Sequence, residues 1–282
     1  SRRSVRHWSA SMLARVAIVT GANRGLGLAL AESLAESGTH VVLAARDEQL
    51  CSAAATALAT AKGYRVSVEA VQLDVRCARS IEAFGAYCEQ TFGGVDLLVN
   101  NAAVCEAGWS EAIVGRALRT NVLGPCTLTR RLLPALRERP HAQVLHISSG
   151  DGELLYLSPE LQRQMAAVDS ERALFRLLAA ARPPRNAFGE APAYGASPAY
   201  AVSKAALNAL TRVQAAAAPG VWVGAVCPGD VITRMATEEE RATAVPPAEA
   251  ARGVLRLVRE ARRPEGGLPS GRFWRHGMEI PF

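Results

Sequence analysis

The sequence predicts an α/β fold in which a doubly wound parallel sheet is covered by helices on both faces. Short apolar, β-branched segments alternate with longer segments rich in Ala and Leu along most of the chain. Such alternation is typical of consecutive strand–helix units with buried parallel strands. A chain of 282 residues with 49% apolar content can bury one large core, so we expect a single domain over 15–282 after a basic tail at 1–14.

The individual elements follow from two periodicities. A short β-branched run predicts a strand, and a longer run with an apolar face predicts a helix. The predicted strands cover 15–20, 39–44, 66–73, 95–99, 142–148, 221–227 and 271–274. The predicted helices cover 25–37, 47–62, 78–92, 111–137, 198–217 and 247–262. Gly38 ends the first helix, and Asp47 is placed to cap the second.

Polar or small residues follow most of the predicted strands. They are Thr20, Arg46, Asp74, Asn100, Ser149 and Pro228. Because parallel strands end at the same edge of a sheet, we expect these residues to converge where such sheets bind ligands.

A glycine-rich segment joins the first strand to the first helix. Glycines let the backbone approach a pyrophosphate closely, and the N–H groups at a helix start bind phosphates. The spacing G-x-x-x-G-x-G is by itself also compatible with an ordinary tight connection. Within the alternating pattern it predicts a Rossmann-like dinucleotide site formed by Gly21, Asn23, Arg24, Gly25, Leu26 and Gly27.

Only two of the 32 basic residues are lysines, Lys62 and Lys204. A lysine retained in so arginine-rich a chain suggests that position 204 needs a compact ammonium. Tyr200 lies four residues earlier, so both side chains share one helix face. A cation beside a phenol lowers its pKa, and we expect Tyr200 to exchange protons near neutral pH.

Composition argues against several other classes of protein. The net charge of +6 is concentrated in an acid-free leader that contains Arg2, Arg3, Arg6 and Arg15, so nucleic-acid binding is not expected. No apolar run approaches the ~20 residues of a membrane span, which predicts a soluble protein. The Ser- and Arg-rich leader resembles the end of a transit peptide, but a tag or a disordered tail fits equally well, so both cytoplasmic and organellar locations stay open.

The six cysteines form no C-x-x-C pair and no cluster with histidine. We therefore expect reduced thiols, without a disulfide framework or a metal site.

In their order along the chain, the motifs resemble those of a classical short-chain dehydrogenase/reductase over nearly the whole sequence. The matching segments are Thr20–Gly27, Asn100-Asn-Ala102, Ser149, Tyr200-x-x-x-Lys204 and Pro228-Gly229. Within the family the chain most resembles the monomeric carbonyl reductases. That likeness rests on Val41–Asp47, Ser158–Gln162, Cys227–Thr233 and the long separation of Ser149 and Tyr200, which are 51 positions apart.

The long interval before Tyr200 predicts a helical insertion at about 150–197. Ser158 and Pro159 are good residues to start one helix, and Asp169-Ser-Glu171 can start a second. Their apolar residues are Leu161, Met165, Val168, Leu174, Phe175, Leu177 and Leu178. We expect the insertion to form part of the substrate wall, with Leu154, Leu155 and Tyr156 toward the cleft. The resemblance implies that it covers the helices through which family tetramers assemble, and hence a monomer; a surface excursion without a role is the alternative.

The resemblance also implies roles for the matching residues. Tyr200 would give a proton to a substrate carbonyl oxygen, and Ser149 would bind that oxygen. Lys204 would act on Tyr200 and hold the nicotinamide ribose, while Asn121 would anchor a proton relay. Contacts to the cofactor would come from Tyr200, Lys204, Asp74, Val75, Asn100, Asn101, Ala102, Pro228, Gly229, Val231 and Thr233.

Charge at the end of the second strand predicts NADP(H) as the cofactor. Enzymes that hold the ribose diol of NAD usually place an acid there, whereas a 2'-phosphate needs cations. Arg46 occupies that position and Arg24 lies in the glycine-rich turn, so two guanidiniums can reach one phosphate.

Two positions depart from the family pattern. Ala103 replaces the usual glycine: at a positive φ its methyl group would cost about 1 kcal/mol or more, and if the position only needs room the neighbouring chain would have to shift. Either effect would weaken cofactor binding. His146 stands where asparagine is common, and we interpret it as a buried structural residue.

The sequence thus predicts an NADPH-dependent reductase that converts an aldehyde, ketone or quinone to the alcohol. The alternative is a reductase-fold subunit that binds cofactor or serves as a scaffold in a larger assembly with little turnover. A scaffold has no physical need for Asn121, Ser149, Tyr200 and Lys204 together, which favours the enzyme. An epimerase of nucleotide sugars shares the Tyr/Lys pair but normally has a different glycine spacing.

Overall fold

The structure is a computed structural model that describes residues 15–62, 67–180, 197–233, 238–263 and 266–282. The basic tail predicted at 1–14 lies outside the described residues.

The described part of the chain forms an eight-stranded sheet. In sequence order the strands are β1 (Val16–Thr20), β2 (His40–Ala45), β3 (Val68–Gln72), β4 (Leu97–Asn100), β5 (Gln143–Ile147), β6 (Trp222–Cys227), β7 (Phe273–Arg275) and β8 (Met278–Ile280). Their order in the sheet is β3-β2-β1-β4-β5-β6-β7-β8. The first seven pair in parallel, and β8 pairs antiparallel with β7.

Helices cover both faces of this sheet. They are α1 (Gly25–Glu36), α2 (Glu48–Lys62), α3 (Ala78–Phe92), α4 (Glu111–Leu118), α5 (Gly124–Arg137), α6 (Pro159–Ala166), α7 (Glu171–Ala180), α8 (Pro198–Ala217), α9 (Glu238–Thr243) and α10 (Pro247–Ala261). Apolar side chains of α1, α2 and α10 pack in one cluster, and those of α3 and α5 pack in another that shares no buried member with it. The predicted doubly wound, Rossmann-like fold is confirmed.

Three local features differ from the prediction. The helix expected over 111–137 is interrupted by a π-helical turn, Arg119–Leu123. Nothing in the apolar periodicity marks that turn, because its cause is a tertiary contact made by Asn121. Strand β8 and helix α9 were also not predicted, since segments of three and six residues are too short for a periodic signal.

The insertion packs on the outer side of α8. Leu161, Met165 and Leu174 are at most 1% exposed and lie in one cluster with apolar residues of α4 and α8. Ser158 Oγ accepts from Leu161 N, as predicted for the cap of α6. Ser170 Oγ caps α7 by accepting from Ala173 N. The two helices therefore lie over the helix that carries Tyr200.

One arginine ties the insertion to α8 by hydrogen bonds. Arg212, on α8, donates through Nη2 to the carbonyl oxygens of Met165, Ala166 and Val168, at 2.9 to 3.1 Å. Met165 and Ala166 belong to the last turn of α6 and Val168 follows it, and carbonyl oxygens at a helix end lack helical partners. Arg212 thus caps α6 and fixes it against α8.

Candidate active site

A cleft of about 760 Å³ runs along the carboxyl edge of the sheet. The residues proposed for cofactor binding line it, with the exception of Asn100: Gly21, Asn23, Arg24, Gly25, Leu26, Gly27, Arg46, Asp74, Val75, Asn101, Ala102, Tyr200, Lys204, Pro228, Gly229, Val231 and Thr233. Ser149 lines it too, whereas Asn121 lies behind the wall. This arrangement agrees with the expectation that residues following the strands converge on one edge of the sheet.

The glycine-rich turn holds its backbone close to the neighbouring strand connection. Gly21 has φ +65°, and a Cβ there would lie 3.0 Å from Ala102 Cα. A Cβ on Gly27 would lie 2.5 Å from Asn101 Nδ2. Asn101 Nδ2 in turn donates to Thr20 O at 2.8 Å. Side chains are excluded at both glycines, and the N-terminus of α1 stays open to the cleft.

The sequence suggested that Asn100 contacts the cofactor, but the structure places its side chain away from the groove. It is 3% exposed and does not line the cleft. Its Nδ2 donates to Thr129 Oγ1 and to His146 Nδ1, both at 3.2 Å. The strand alternation explains the error, because successive side chains point to opposite faces and Asn101 takes the position toward the turn.

Ala103 carries no backbone strain. Among the residues that the structure describes, the non-glycine residues with positive φ are His141 and His276. Ala103 lines the cleft in an ordinary conformation, so the methyl group does not carry the conformational cost that a positive φ would impose.

Ser149, Tyr200 and Lys204 meet at one end of the cleft. Ser149 is the second residue after β5, and its hydroxyl interacts with the Tyr200 phenol. Lys204 is 2% exposed, and its Nζ donates to Ile147 O at 2.7 Å. The same Nζ lies 5.4 Å from the centre of the Tyr200 ring. The helix spacing has therefore placed a cation beside a phenol, as the sequence predicted.

The expected lowering of the tyrosine pKa was wrong for this structure. Burial raises the pKa of Tyr200 above its ordinary value, and the nearby Asp151 carboxylate adds to the rise. Burial also lowers the pKa of Lys204, to about 8. Burial is the largest cause of both shifts, and the Lys204 ammonium donates to Ile147 O. Tyr200 consequently holds its proton at neutral pH.

Asn121 is buried in the π-helical turn and holds the loop after β4. Its Oδ1 accepts from Val104 N and its Nδ2 donates to Val104 O, both at 2.9 Å. Nδ2 also donates to Ser203 Oγ at 2.9 Å, and that hydroxyl donates to Tyr200 O. Asn121 thus links the cleft loop to the helix that carries Tyr200, and a π-turn at such a position is typical of functional sites.

The opposite end of the cleft is rich in guanidinium groups. Arg24 and Arg46 line it, and so does Arg76, which the sequence reasoning missed. Arg76 donates to Asp74 through Nε at 3.0 Å and Nη2 at 2.7 Å. Hydrogen bonds from Arg76, with the charge of Arg46, hold the pKa of Asp74 below its usual range. The signal for Arg76 was its position two residues beyond a strand-end acid.

Asp47 caps the helix that follows it. Its Oδ1 accepts from Leu50 N at 2.9 Å at the start of α2. The prediction that Asp47 caps the helix is confirmed.

The insertion reaches the cleft through Asp151. The predicted contacts of Leu154, Leu155 and Tyr156 were wrong, because none of the three lines the cleft. Leu154 packs against the cluster under α6, whereas Leu155 is 65% exposed. The three residues form a 3₁₀ turn, Leu154–Tyr156. The part of the insertion at 181–196 lies outside the described residues.

His146 is a buried structural residue, as expected. Its Nε2 lies 3.1 Å from Gln214 Oε1, and burial lowers its pKa to about 4. Ser148 is also buried and donates to Lys204 O. Both residues therefore bond to other parts of the protein, which is consistent with structural roles.

The described residues contain no group of three or more His, Cys, Asp or Glu side chains arranged to hold a metal ion. Within those same ranges, no helix combines the length and apolarity that crossing a membrane requires.

Comparison with known proteins agrees with this geometry. The family model for "short chain dehydrogenase" matches residues 15–158. The (+)-neomenthol dehydrogenase of Arabidopsis thaliana is 31% identical over 92% of this chain and 95% of its own. The salutaridine reductase structure from Papaver somniferum superposes with a TM-score of 0.78 at 26% identity, over 92% of this chain and 99% of that one. Menthone neomenthol reductase from Mentha piperita gives 0.78 at 25% identity, over 95% and 100%.

Proposed function

The chain belongs to the short-chain dehydrogenase/reductase family, and from that premise we propose that it is an NADPH-dependent reductase of aldehydes, ketones or quinones. As a member it is an oxidoreductase that uses a nicotinamide cofactor. One observation carries the finer assignment: Ser149, Tyr200 and Lys204 share one end of a cleft whose other end holds Arg24 and Arg46. Two of the similar proteins are named for a ketone, menthone, or its alcohol, neomenthol, which supports carbonyl chemistry.

The residues fit a bound dinucleotide. The open N-terminus of α1, with no room for a side chain at Gly21 or Gly27, suits a pyrophosphate. Arg24 and Arg46 would hold a 2'-phosphate, and Lys204 would hold the ribose next to the nicotinamide. The nicotinamide, when bound, supplies the hydride.

The protein's own part in the reaction is to bind the carbonyl oxygen and protonate it. Tyr200 keeps its proton because burial raises its pKa, so it can act as the acid. The Ser149 hydroxyl lies within hydrogen-bonding reach of the phenol and would orient the same oxygen. Lys204, held by Ile147 O, places a positive charge behind the phenol as it loses its proton. Asn121 bonds to Val104 in the cleft loop and to Ser203 on α8, and so fixes the loop relative to the helix.

Purified protein and NADPH, tested against a panel of aldehydes, ketones and quinones, will test the proposal. We expect NADPH oxidation that depends on substrate, with alcohol formed in equal amount. Tight binding of NADPH without turnover of any carbonyl would instead favour a cofactor-binding subunit.

We expect kcat/KM for NADPH to fall above pH about 8. Lys204 has its pKa lowered to about 8 by burial, so its cationic form is lost well below the ordinary value for lysine. Tyr200 loses its proton only at higher pH because its own pKa is raised. A profile of kcat/KM for NADPH from pH 6 to 10 reports the free enzyme. Lys204→Arg, which stays charged, is expected to lack the fall; a profile of unaltered protein that is flat to pH 9.5 would contradict the assignment.

We also propose that the protein is a monomer, because α6 and α7 cover α8. The apolar side chains of the two insertion helices already occupy the surface that a second α8 would need. Light scattering at micromolar concentration is expected to give about 30 kDa, the mass of one 29.9 kDa chain. A stable tetramer would refute this proposal.

A further inference from the structure

Thr120 has a buried hydroxyl that none of the roles above uses. The residue is 6% exposed and lines the cleft. Its Oγ1 has no hydrogen-bond partner within the described ranges. A buried hydroxyl left without a partner destabilises a protein, and buried polar groups are generally hydrogen-bonded in the working state. The cleft is therefore where its partner should bind.

The backbone around Thr120 is held on two sides. Asn121, the next residue, bonds to both the N–H and the carbonyl of Val104. On the other side, a Cβ on Gly124 would lie 3.0 Å from Val75 Cβ, so the turn packs against the residue that follows Asp74. Thr120 thus lies between the connection after β3 and the connection after β4, on a rigid part of the wall.

This place corresponds to the adenosine half of the groove. Arg46 and Asp74 follow β2 and β3, on the side of β1 opposite to β4 and β5. The catalytic side chains Ser149, Tyr200 and Lys204 lie at the other end, at β5 and α8. A dinucleotide stretched between them would have its nucleoside over β1 to β3, next to Val75 and the turn that packs on it.

We propose that the Thr120 hydroxyl is a hydrogen-bonding contact for the adenosine half of the bound dinucleotide, an inference that rests on the proposed function. Adenine presents ring-nitrogen acceptors and an amino donor, and ribose presents hydroxyls. A threonine hydroxyl can donate to one and accept from the other. The contact requires no reaction at Thr120 and adds affinity for the half of the cofactor that does not react.

Titration of three ligands against variants of the full chain tests the proposal: NADPH, adenosine 2',5'-bisphosphate and reduced nicotinamide mononucleotide. Thr120→Val keeps the shape and removes the hydroxyl. It is expected to weaken NADPH and the bisphosphate by roughly five- to tenfold, the effect of one hydrogen bond, and to leave the mononucleotide unchanged. Thr120→Ser is expected to retain the affinity of the unaltered protein for all three.

Thr211→Val is the matched control. Thr211 is a fully buried threonine whose hydroxyl donates to Leu207 O within α8, and it does not line the cleft. Its replacement is expected to leave all three affinities unchanged.

The outcomes separate this inference from the proposed function. Unchanged affinities in Thr120→Val, with normal binding by the unaltered protein, would overturn the role of Thr120 alone. Equal losses in Thr120→Val and Thr120→Ser, accompanied by a lower melting temperature, would assign Thr120 to the fold and also overturn it. Failure of the unaltered protein to bind NADPH or the bisphosphate would overturn both proposals. Binding is measured without a carbonyl substrate, so the absence of turnover would leave this result intact.

Discussion

Tyr200→Phe is expected to lower kcat for carbonyl reduction by about three orders of magnitude and to leave NADPH affinity nearly unchanged. The substitution removes the oxygen that carries the proton and keeps the ring. A positioned general acid typically contributes about 10² to 10⁴ in rate. Ser149 and Lys204 keep their contacts with the backbone, so the cofactor side of the cleft should persist. Single-turnover rates and fluorescence titration with NADPH measure the two effects separately.

Tyr156→Phe is the matched control for this prediction. Tyr156 belongs to the insertion, is 45% exposed and does not line the cleft. Its variant is expected to reduce carbonyls at the rate of the unaltered protein. Carbonyl reduction retained in Tyr200→Phe would mean that another group supplies the proton.

Lys204→Arg is expected to be nearly as poor an enzyme. Lys204 is almost fully buried and donates at 2.7 Å to a backbone oxygen beside the phenol. A planar guanidinium is larger and directs its donors in a fixed fork, so it cannot occupy the same space. Full activity in this variant would contradict the inference drawn from a rare lysine in an arginine-rich chain.

The fold could be predicted because its signals are local. The central parallel strands are buried on both faces and therefore contain nearly continuous apolar runs, such as residues 16–19 of β1. The first residues after each strand fall at the carboxyl edge, which brought Arg46, Asp74 and Ser149 to one cleft. These features depend on chain order and strand direction, both of which the sequence contains.

The missed features depend on contacts between distant segments. The π-turn at Asn121 exists because that side chain binds the loop at Val104, 17 positions away. Asn100 turns inward because His146 and Thr129 offer partners inside the core. The pKa of Tyr200 follows from burial, and only the packed structure defines that. The helix spacing predicted that Lys204 lies beside Tyr200, but it could not predict how far burial raises the pKa of the phenol.

Charge is divided between the two ends of the cleft. Arg24, Arg46 and Arg76 line the nucleotide end, where Arg76 is already paired with Asp74. That pairing leaves the other two arginines as the better candidates for a phosphate, since a guanidinium bound to a carboxylate has fewer donors to offer. The proposed preference for NADP(H) therefore rests on Arg24 and Arg46.

Replacing both Arg24 and Arg46 with Ala is expected to weaken NADPH binding by about 100-fold and NADH binding by less than threefold. Only NADPH carries the 2'-phosphate that the two guanidiniums would contact. A hydrogen bond to a charged group contributes about 1.5 to 3 kcal/mol, and we take the lower value for each because both side chains are exposed. Two such contacts give about 3 kcal/mol, or roughly two orders of magnitude in affinity.

The variant Arg252→Ala/Arg256→Ala controls for net charge in this experiment. Both residues are exposed on α10 and neither lines the cleft, so the pair removes the same two charges without touching the site. Titration of NADPH and NADH against the three proteins at one ionic strength then isolates the local contact, because a long-range effect of charge would weaken NADPH equally in both double variants. Equal losses of NADPH and NADH in the Arg24/Arg46 variant would place the guanidiniums on the pyrophosphate or in the fold. A selective loss of NADPH would instead assign them to the 2'-phosphate and establish the cofactor by the chemistry that distinguishes it.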